Sequence, residues 1–331
     1  GGPVGSSFAA QTATFTTVVV EEHSEIGSPV QCTGLVHPRV VEMAKAEDTV
    51  LNEITGLRLV PPGGRSLEVR TKETKAVIID RGRFDRRCSE RAEVEGADIL
   101  TGHEFIGFER EGKKLSVKVR SPDGPLSIEA DLLVGADGYK SRVGKLAGLG
   151  PARDFVRGIQ ADLEVRLEDQ SVAEVHIGQK VAPGFFAWVL PCGDFTRVGV
   201  GVSDGAGTPS SYLTNMIKKC GFESVKRLRT MSGVIPIGPP KKTCADNVLI
   251  VGDAAAQTTL VAGGGLYTGL RAARWGAMTA VDALRDEDLA DLGERGLTDA
   301  QVQVLLAHLT SARADVTPSD PSERRLLIGV M

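Results

Sequence analysis

Apolar and polar residues follow two different patterns along the chain, and these patterns divide it into regions. Continuously apolar runs at residues 18–20, 132–134 and 248–251 are typical of strands that are covered on both faces. Between residues 158 and 202, apolar and polar positions alternate with a period of two in several short runs. This alternation predicts an antiparallel sheet with one buried face.

Helical patterns and further strands separate these runs. Helices are predicted at residues 6–17, 38–46, 84–96, 210–221 and 265–285, with weaker helical patterns in the tail. The other predicted strands lie at residues 57–60, 66–70, 76–80, 102–109, 114–121 and 126–130. The arrangement predicts an α/β protein, with a Rossmann-type domain formed by both ends of the chain and an α+β insert that carries the antiparallel sheet.

The length of 331 residues also favours two domains that share a cleft. We expect a discontinuous nucleotide-binding domain at residues 1–56, 76–150 and 241–290, and a substrate-binding sheet domain at residues 57–75 and 151–240. Residues 291–331 are expected to form a helical tail. The chain opens on glycines with no strand ahead of them, so we expect the first strand of the nucleotide-binding domain to be missing.

Composition and charge exclude several classes of protein. The net charge is −4 and there is no long Lys/Arg run, so a nucleic-acid partner is not expected. The apolar runs are far shorter than the roughly 20 residues of a membrane span, so membrane contact would be peripheral. Five widely spaced cysteines favour a reducing compartment, and the scattered histidines predict no metal site. We expect a cytoplasmic location, with peripheral membrane association left open.

A glycine-rich turn and an acidic residue form the first candidate site. Gly1, Gly2 and Gly5 precede a helical segment, and Glu21 follows the next apolar run, twenty positions after Gly1. In a dinucleotide site, such glycines let backbone N–H groups approach the pyrophosphate, and the acid binds a ribose hydroxyl. A glycine-rich turn without a ligand is the alternative.

A second motif follows the apolar run at residues 132–134. The sequence Gly-Ala-Asp-Gly at positions 135–138 predicts a tight turn in which Asp137, flanked by Ala136 and Gly138, contacts a ligand. A structural turn held by the aspartate explains the same residues equally well.

The third motif is the most specific. An apolar strand runs into Gly252 and Asp253, and a Gly triplet that includes Gly264 and Gly265 opens a long helix. The strand would bring Asp253 to the ribityl hydroxyls of a flavin, and the positive end of the helix dipole would face the pyrimidine edge of the ring.

The three motifs in this order, with Ile-Asp-Arg at positions 79–81 and Phe-Asp at 84–85 between the first two, resemble flavoproteins of the p-hydroxybenzoate hydroxylase topology. More narrowly, the chain resembles the geranylgeranyl reductase family. Residues 29–34 are similar to the Pro-x-x-Cys-x-Gly segment of that family, and residues 183–191 resemble its aromatic-rich substrate strand. The resemblance extends to about residue 284. Cys192 and Gln31 depart from the family pattern, which often has a lysine and an aromatic residue there.

The resemblance implies FAD as the cofactor and assigns roles to individual residues. The residues expected to contact or support FAD are Gly2, Gly5, Glu21, Arg81, Ala136, Asp137, Gly138, Gly252, Asp253, Gly264 and Gly265. Cys32 is the candidate proton donor, because a thiol with an ordinary pKa is protonated at neutral pH. Phe185 and Trp188 are expected to line the substrate pocket, with Tyr267 at its border. A buried structural thiol and aromatic core packing are the alternatives for these side chains.

The implied function is an FAD-dependent reductase that saturates isolated double bonds of geranylgeranyl or other prenyl chains by hydride transfer from reduced flavin. An FAD-dependent monooxygenase of an aromatic or lipid substrate is the alternative within the flavin enzymes. A non-catalytic flavin- or lipid-binding protein is the alternative outside them. The expected partners are a prenyl lipid and an electron donor that is a ferredoxin, a deazaflavin or a nicotinamide.

Overall fold

The structure is a computed structural model that describes residues 1–259 and 262–285. The chain divides into two compact units, each formed by separate segments. Unit 1 contains Gly1–Glu25, Ser89–Arg153 and the described residues from Ile237 onward, and unit 2 contains Ile26–Cys88 and Asp154–Pro236. The predicted helical tail at residues 291–331 lies outside the described residues.

Six helices are present in the described part of the chain. They are α1 (Pro3–Thr12), α2 (Pro38–Ala44), α3 (Arg81–Val94), α4 (Arg142–Leu146), α5 (Pro209–Lys219) and α6 (Leu266–Arg285), and two short 3-10 helices occupy Glu47–Thr49 and Gly252–Ala255. Helix α1 begins and ends earlier than residues 6–17, because Pro3 suits the first helical position and the β-branched threonines after Thr12 disfavour the helix. Among these helices, none combines the length and apolar character that a membrane span requires.

Eighteen strands are present in the same part of the chain. They are β1 (Val18–Glu21), β2 (Leu35–Val36), β3 (Val50–Ile54), β4 (Gly56–Val60), β5 (Leu67–Arg70), β6 (Ala76–Ile79), β7 (Asp98–Thr101), β8 (Glu104–Glu111), β9 (Lys114–Ser121), β10 (Gly124–Ala130), β11 (Leu133–Gly135), β12 (Asp154–Leu163), β13 (Val172–Ile177), β14 (Phe186–Pro191), β15 (Thr196–Ser203), β16 (Arg227–Ile237), β17 (Cys244–Ala245) and β18 (Val248–Ile250). Strands β2, β3, β7, β16 and β17 were not predicted from the sequence. β16 begins with polar, exposed residues at the edge of a sheet, so its alternation is weak.

Unit 1 has the parallel pairing expected of a Rossmann-type domain. Strand β1 pairs in parallel with β7, and β11 pairs in parallel with β18. An antiparallel meander of β8, β9 and β10 accompanies them. Helices α1 and α6 pack together with β18 through a core that contains Phe8, Leu249, Ala273 and Ala277. The apolar run that predicted β18 is buried throughout, whereas β11 is partly buried and Val18 of β1 is exposed.

Unit 2 contains a seven-stranded sheet in the order β16-β12-β15-β14-β13-β4-β5. The pairs from β12 to β13 are antiparallel, whereas β13 and β4 are parallel. One face of this sheet packs on Leu213, Met216 and Ile217 of α5. The other face packs on a small sheet of β2, β6 and β3 through a core that includes Ile78 and Trp188.

The grouping of segments differs from the domain boundaries that we expected. Residues 26–56 and 76–88 were assigned to the nucleotide-binding domain, but they cluster with unit 2. The reason is that Ile54 and Ile78 share a core with Ala173 and Leu190 of the seven-stranded sheet. The assignment of FAD and substrate to particular domains stays a prediction.

Candidate functional site

The first glycine turn and Glu21 lie side by side in unit 1. The N-terminal nitrogen of Gly1 is 3.0 Å from Glu21 Oε2, and Glu21 Oε1 accepts a hydrogen bond of 2.9 Å from the His23 amide. Burial raises the pKa of Glu21, and the hydrogen bond from the His23 amide acts against it and favours the ionised carboxylate. Glu21 is therefore an ionised acceptor at the end of β1, beside the start of α1.

The start of α1 has the features of a phosphate-binding helix end. Its N-cap residue, Gly2, provides no side-chain cap for the first backbone N–H groups. A Cβ atom built on Gly2 would meet nothing within 4 Å in the part of the chain that the structure describes, so these residues leave the space beside it open. Uncapped N–H groups and the helix dipole favour an anionic group at this position.

Close packing around α1 brings the other two motifs to the same helix. A Cβ atom on Gly5 would lie 3.0 Å from the Cβ of Ala136, in the loop after β11. The side chain of Val4 in α1 lies 3.1 Å from the position of a Cβ on Gly252 and 2.6 Å from the position of a Cβ on Gly269 of α6. The contact at Gly269 requires glycine and those at Gly5 and Gly252 are tight, so the three motifs predicted from the sequence converge on the first turns of α1.

Asp253 and the start of α6 face each other. Asp253 is exposed in the 3-10 helix after β18, and its Oδ1 lies 3.0 Å from the position of a Cβ on Gly265. A Cβ on Gly264 would approach Thr259 Oγ1 at 3.6 Å, which is an ordinary contact. Tyr267 lies in the first turn of α6, and its place at the border of the substrate pocket stays a prediction. The carboxylate and the positive end of the helix dipole thus meet at one place.

Polar residues that the sequence analysis did not identify hold this loop. Gln257 Oε1 accepts a hydrogen bond of 2.7 Å from the Gly252 amide, and Thr259 Oγ1 accepts one of 3.1 Å from the Gly264 amide. The Thr268 hydroxyl donates back to the Gln257 carbonyl. Gln257 and Thr259 are only a weak sequence signal for a structured loop, because polar side chains are common in loops of any kind.

Asp137 anchors the turn in which it lies. Its Oδ1 accepts a hydrogen bond of 2.7 Å from the Ser141 hydroxyl, and its Oδ2 accepts one of 3.0 Å from the Val143 amide at the start of α4. Gly138, with a φ of 75°, allows the chain to turn there. Of the two interpretations made from the sequence, these contacts favour the structural one for the Asp137 side chain, while its role toward FAD stays a prediction.

Cys32 and Arg81 lie together in unit 2, although they are far apart in sequence. Arg81 donates two hydrogen bonds to Asp85, of 3.0 and 3.1 Å, and its guanidinium also contacts the Cys32 thiol. Burial lowers the pKa of Arg81, but Asp85 and Cys32 outweigh it and raise the pKa above its usual value. The predicted proton donor therefore has a permanent cation beside it.

A buried ion pair supports the loop that carries Cys32. Arg197 donates hydrogen bonds of 2.7 and 3.0 Å to the two carboxylate oxygens of Asp162, and both side chains are only 2% exposed. Arg197 also donates to the Thr33 carbonyl, and Arg229 donates to Asp162 at 2.6 Å. Burial lowers the pKa of Arg197, but Asp162 raises it above its usual value, so Arg197 keeps its charge.

The aromatic side chains at residues 185–188 pack against two glycines of β15. The rings of Phe185 and Phe186 stack with centroids 4.2 Å apart, and the Trp188 ring meets Phe186 edge-on at 6.0 Å. A Cβ on Gly199 would lie 2.3 Å from the Trp188 ring, and one on Gly201 would lie 2.4 Å from the Phe185 ring. Trp188 is only 6% exposed, so most of its ring is part of the core.

Comparisons with known proteins agree with this geometry. The family model described as FAD binding domain matches residues 6–200, which is more than half of the chain. A geranylgeranyl bacteriochlorophyll reductase-like protein from Thermoplasma acidophilum shares the fold with a TM-score of 0.81 and 22% identity, over 95% of this chain and 82% of its own. The p-nitrophenol 4-monooxygenase from Pseudomonas putida shares it with a TM-score of 0.74 and 16% identity, over 98% and 90%. The predicted fold class and cofactor are confirmed: this is an FAD-binding flavoprotein.

Sequence relatives narrow the class further. The digeranylgeranylglycerophospholipid reductase of Methanocaldococcus jannaschii is 30% identical over 93% of this chain and 83% of its own length. The enzyme of the same name from Methanothrix thermoacetophila is 30% identical over 89% and 79%. The chain belongs to the digeranylgeranylglycerophospholipid reductase family, which confirms the resemblance found in the sequence.

Proposed function

We propose that this protein is an FAD-dependent reductase that saturates double bonds in the geranylgeranyl chains of isoprenoid lipids. The structural observation that carries the proposal is the convergence of Gly2, Glu21, Asp253 and Gly265 on elements packed around α1. Each of these residues was selected from the sequence for one part of FAD. Their convergence within one compact unit is what a dinucleotide site requires.

The residues of unit 1 fit the chemistry of FAD part by part. The uncapped, unobstructed start of α1 suits the diphosphate, and the ionised Glu21 suits a ribose hydroxyl. Asp253 is an exposed acceptor suited to the ribityl hydroxyls. The start of α6 supplies a positive dipole end for the ring system, which carries negative charge when reduced.

An isolated double bond has no carbonyl group that the protein can polarise. Reduced FAD, when bound, supplies a hydride to one carbon, and the other carbon needs a proton. The protein's part is to hold the chain, exclude water and deliver that proton. We assign the walls that hold the chain to Phe185 and Phe186, which are half-buried and stacked on each other.

We assign the proton to the Cys32 thiol. The S–H bond breaks as the new C–H bond forms, and a thiolate remains on Cys32. The Arg81 guanidinium beside the sulfur stabilises this anion, because Arg81 keeps its charge at all working pH values. Solvent protonates the thiolate before the next double bond is reduced. Arg81, predicted from the resemblance to contact FAD, thereby gains a second role in the proton transfer.

Two finer features also belong to the proposal. The electrons that reduce FAD come from a ferredoxin, a deazaflavin or a nicotinamide, and reduction of the purified holoenzyme by each donor would distinguish them. Because the substrate is a lipid, we propose that the protein acts at a membrane surface through peripheral contact. Co-sedimentation of the holoenzyme with vesicles of the substrate lipid tests this contact.

The same fold serves monooxygenases, so oxygen provides the discriminating experiment. The reductase reaction proceeds without oxygen and yields a lipid that is heavier by two hydrogens for each double bond. A monooxygenase would leave the lipid unchanged without oxygen and would add an oxygen atom in air. A chain that cannot be loaded with FAD would point to a non-catalytic protein.

The Asp253→Asn variant tests the assignment of the FAD site. Asn keeps the size of the side chain but removes the anionic acceptor, so FAD should dissociate far more readily than from the unmodified protein. Asp246→Asn is the matched control, because Asp246 is an exposed acid just before β18 and has no assigned role. Equal retention of FAD by the two variants, measured by flavin absorbance after gel filtration, would remove Asp253 from the site.

A further inference from the structure

Two buried polar atoms of unit 2 have no hydrogen-bond partner among the described residues. They are Trp188 Nε1, an N–H donor, and Gln160 Oε1, a carbonyl acceptor. Trp188 is 6% exposed and Gln160 is 4% exposed, so water from the bulk does not reach these atoms freely. Buried donors and acceptors are almost always paired, so this donor and this acceptor together indicate a ligand.

The two side chains flank Gly199 on one face of the sheet. Strand pairing places Gln160 of β12 opposite Gly199 of β15, and Gly199 opposite Trp188 of β14. Directly opposed residues point to the same face of a sheet, so both side chains stand on either side of Gly199. The indole lies over this glycine, with Nε1 2.5 Å from the position that a Cβ would occupy.

Neighbouring groups fix both side chains in these orientations. Gln160 Nε2 donates a hydrogen bond of 2.9 Å to the Cys32 carbonyl, and Met231 Sδ lies 3.9 Å from the same nitrogen. Reversing the amide would place Oε1 against that carbonyl and oppose two acceptors. The indole is held between Gly199 and Phe186. The donor and the acceptor therefore cannot find other partners by simple rotation.

The chemistry of the pair specifies what it binds. A hydroxyl oxygen can accept the indole N–H and can donate its own proton to the amide oxygen. A phosphate or carboxylate has no proton for Gln160 Oε1 and would be repelled by it, and a hydrocarbon would satisfy neither atom. We propose that Trp188 and Gln160 bind one neutral hydroxyl group, which connects the aromatic strand to the Cys32 loop.

Two molecules can supply this group. One is a single buried water, and the other is an alcohol on the prenyl substrate. The second source rests on the proposed function and would make this pair a determinant of specificity, since it would favour a free prenyl alcohol over its phosphorylated form. The binding of a hydroxyl group as such rests on unit 2 alone.

NMR of the FAD-loaded protein with 15N-labelled tryptophan tests the proposal. The chain contains two tryptophans, so Trp275→Phe identifies the indole signal of Trp188 and serves as the matched control. Without lipid, a bound water gives a cross-peak between water and the Trp188 indole proton, and Gln160→Met shifts or removes that signal. With geranylgeraniol, an alcohol that displaces the water shifts the indole signal, whereas the corresponding hydrocarbon, which has no oxygen, does not.

Binding affinities separate the two sources. If the substrate supplies the hydroxyl, Gln160→Met and Trp188→Phe each weaken geranylgeraniol binding by about tenfold, the effect of one neutral hydrogen bond, and leave the affinity for the corresponding hydrocarbon unchanged. If water supplies it, the water cross-peak persists with both lipids and both affinities stay unchanged. The proposal is overturned if the Trp188 indole shows neither a water cross-peak nor a response to the alcohol. The measurements on the unmodified protein decide this even if Gln160→Met does not fold, and none of them depends on turnover.

Discussion

Replacing Gly264 by Ala shows whether glycine at this position is needed for the stability of the protein or for the binding of FAD. Among the described residues, a Cβ at this position would meet only Thr259 Oγ1 within 4 Å, at 3.6 Å, which is an ordinary van der Waals distance. Gly264 is also not among the glycines with a positive φ. The protein alone therefore tolerates the added methyl group, and the melting temperature of the FAD-free protein should change by no more than that of a typical surface variant.

The added methyl group should weaken the binding of FAD if the flavin ring contacts the backbone before α6. Inserting a methyl group into a packed contact costs about 1 to 3 kcal/mol. A cost of that size weakens binding by about 5-fold to 150-fold, because 1.4 kcal/mol corresponds to a factor of ten. The Kd for FAD, measured by the quenching of flavin fluorescence on titration of the FAD-free protein, should rise within this range.

Gly158→Ala is the matched control for this experiment. Gly158 lies in unit 2, and of the described residues a Cβ there would meet only the Gly233 carbonyl, at 3.7 Å. Its Kd for FAD should equal that of the unmodified protein. If Gly264→Ala also binds FAD with unchanged affinity, the flavin does not contact this backbone, and the assignment of α6 to the isoalloxazine end is wrong.

Three further predictions concern unit 2. Asp162→Asn should lower the free energy of unfolding by about 3–5 kcal/mol because it leaves Arg197 buried without its counter-charge. Arg229→Ala, which removes a half-exposed partner of Asp162, should lower it by about 1 kcal/mol or less. Similar losses for the two variants in urea denaturation would contradict the central place of the buried pair. Burial raises the pKa of Cys192 to about 12, so at pH 9 only about one molecule in a thousand carries the reactive thiolate. Iodoacetamide should therefore label Cys192 far more slowly in the folded protein than in urea. Equal labelling rates, measured by mass spectrometry, would refute the burial argument. Cys32→Ala should slow the reoxidation of reduced enzyme by a prenyl lipid without loss of FAD, and normal single-turnover rates would exclude Cys32 as the proton donor.

Some elements were predictable because a short segment determines them. The apolar run before Glu21 predicted a strand over residues 18–20, and the strand is Val18–Glu21. The Gly triplet predicted a helix over residues 265–285, and α6 is Leu266–Arg285. Glycine openings and apolar runs are local signals, and the residues assigned to FAD in unit 1 were found through them.

Other features depend on strand pairing, which the sequence does not reveal. Gln160 and Asp162 occupy alternate positions of β12, and this predicts only that they share a face. The partners across the sheet, Gly199 and Arg197, follow from the register of β12 and β15. The ion pair that supports the Cys32 loop and the donor–acceptor pair above Gly199 were therefore missed. The role of Asp137 in its own turn was undecided for the same reason, since it depends on contacts rather than on composition.

The most direct test of the account is the fate of a geranylgeranyl lipid with chemically reduced, FAD-loaded enzyme under strictly anaerobic conditions. Mass spectrometry should show products heavier by two hydrogens per reduced double bond, formed in proportion to the flavin that is reoxidised, and none with the Asp253→Asn variant from which FAD is lost. A lipid that remains unchanged without oxygen, and gains an oxygen atom only in air, would contradict the assignment of this protein as a reductase.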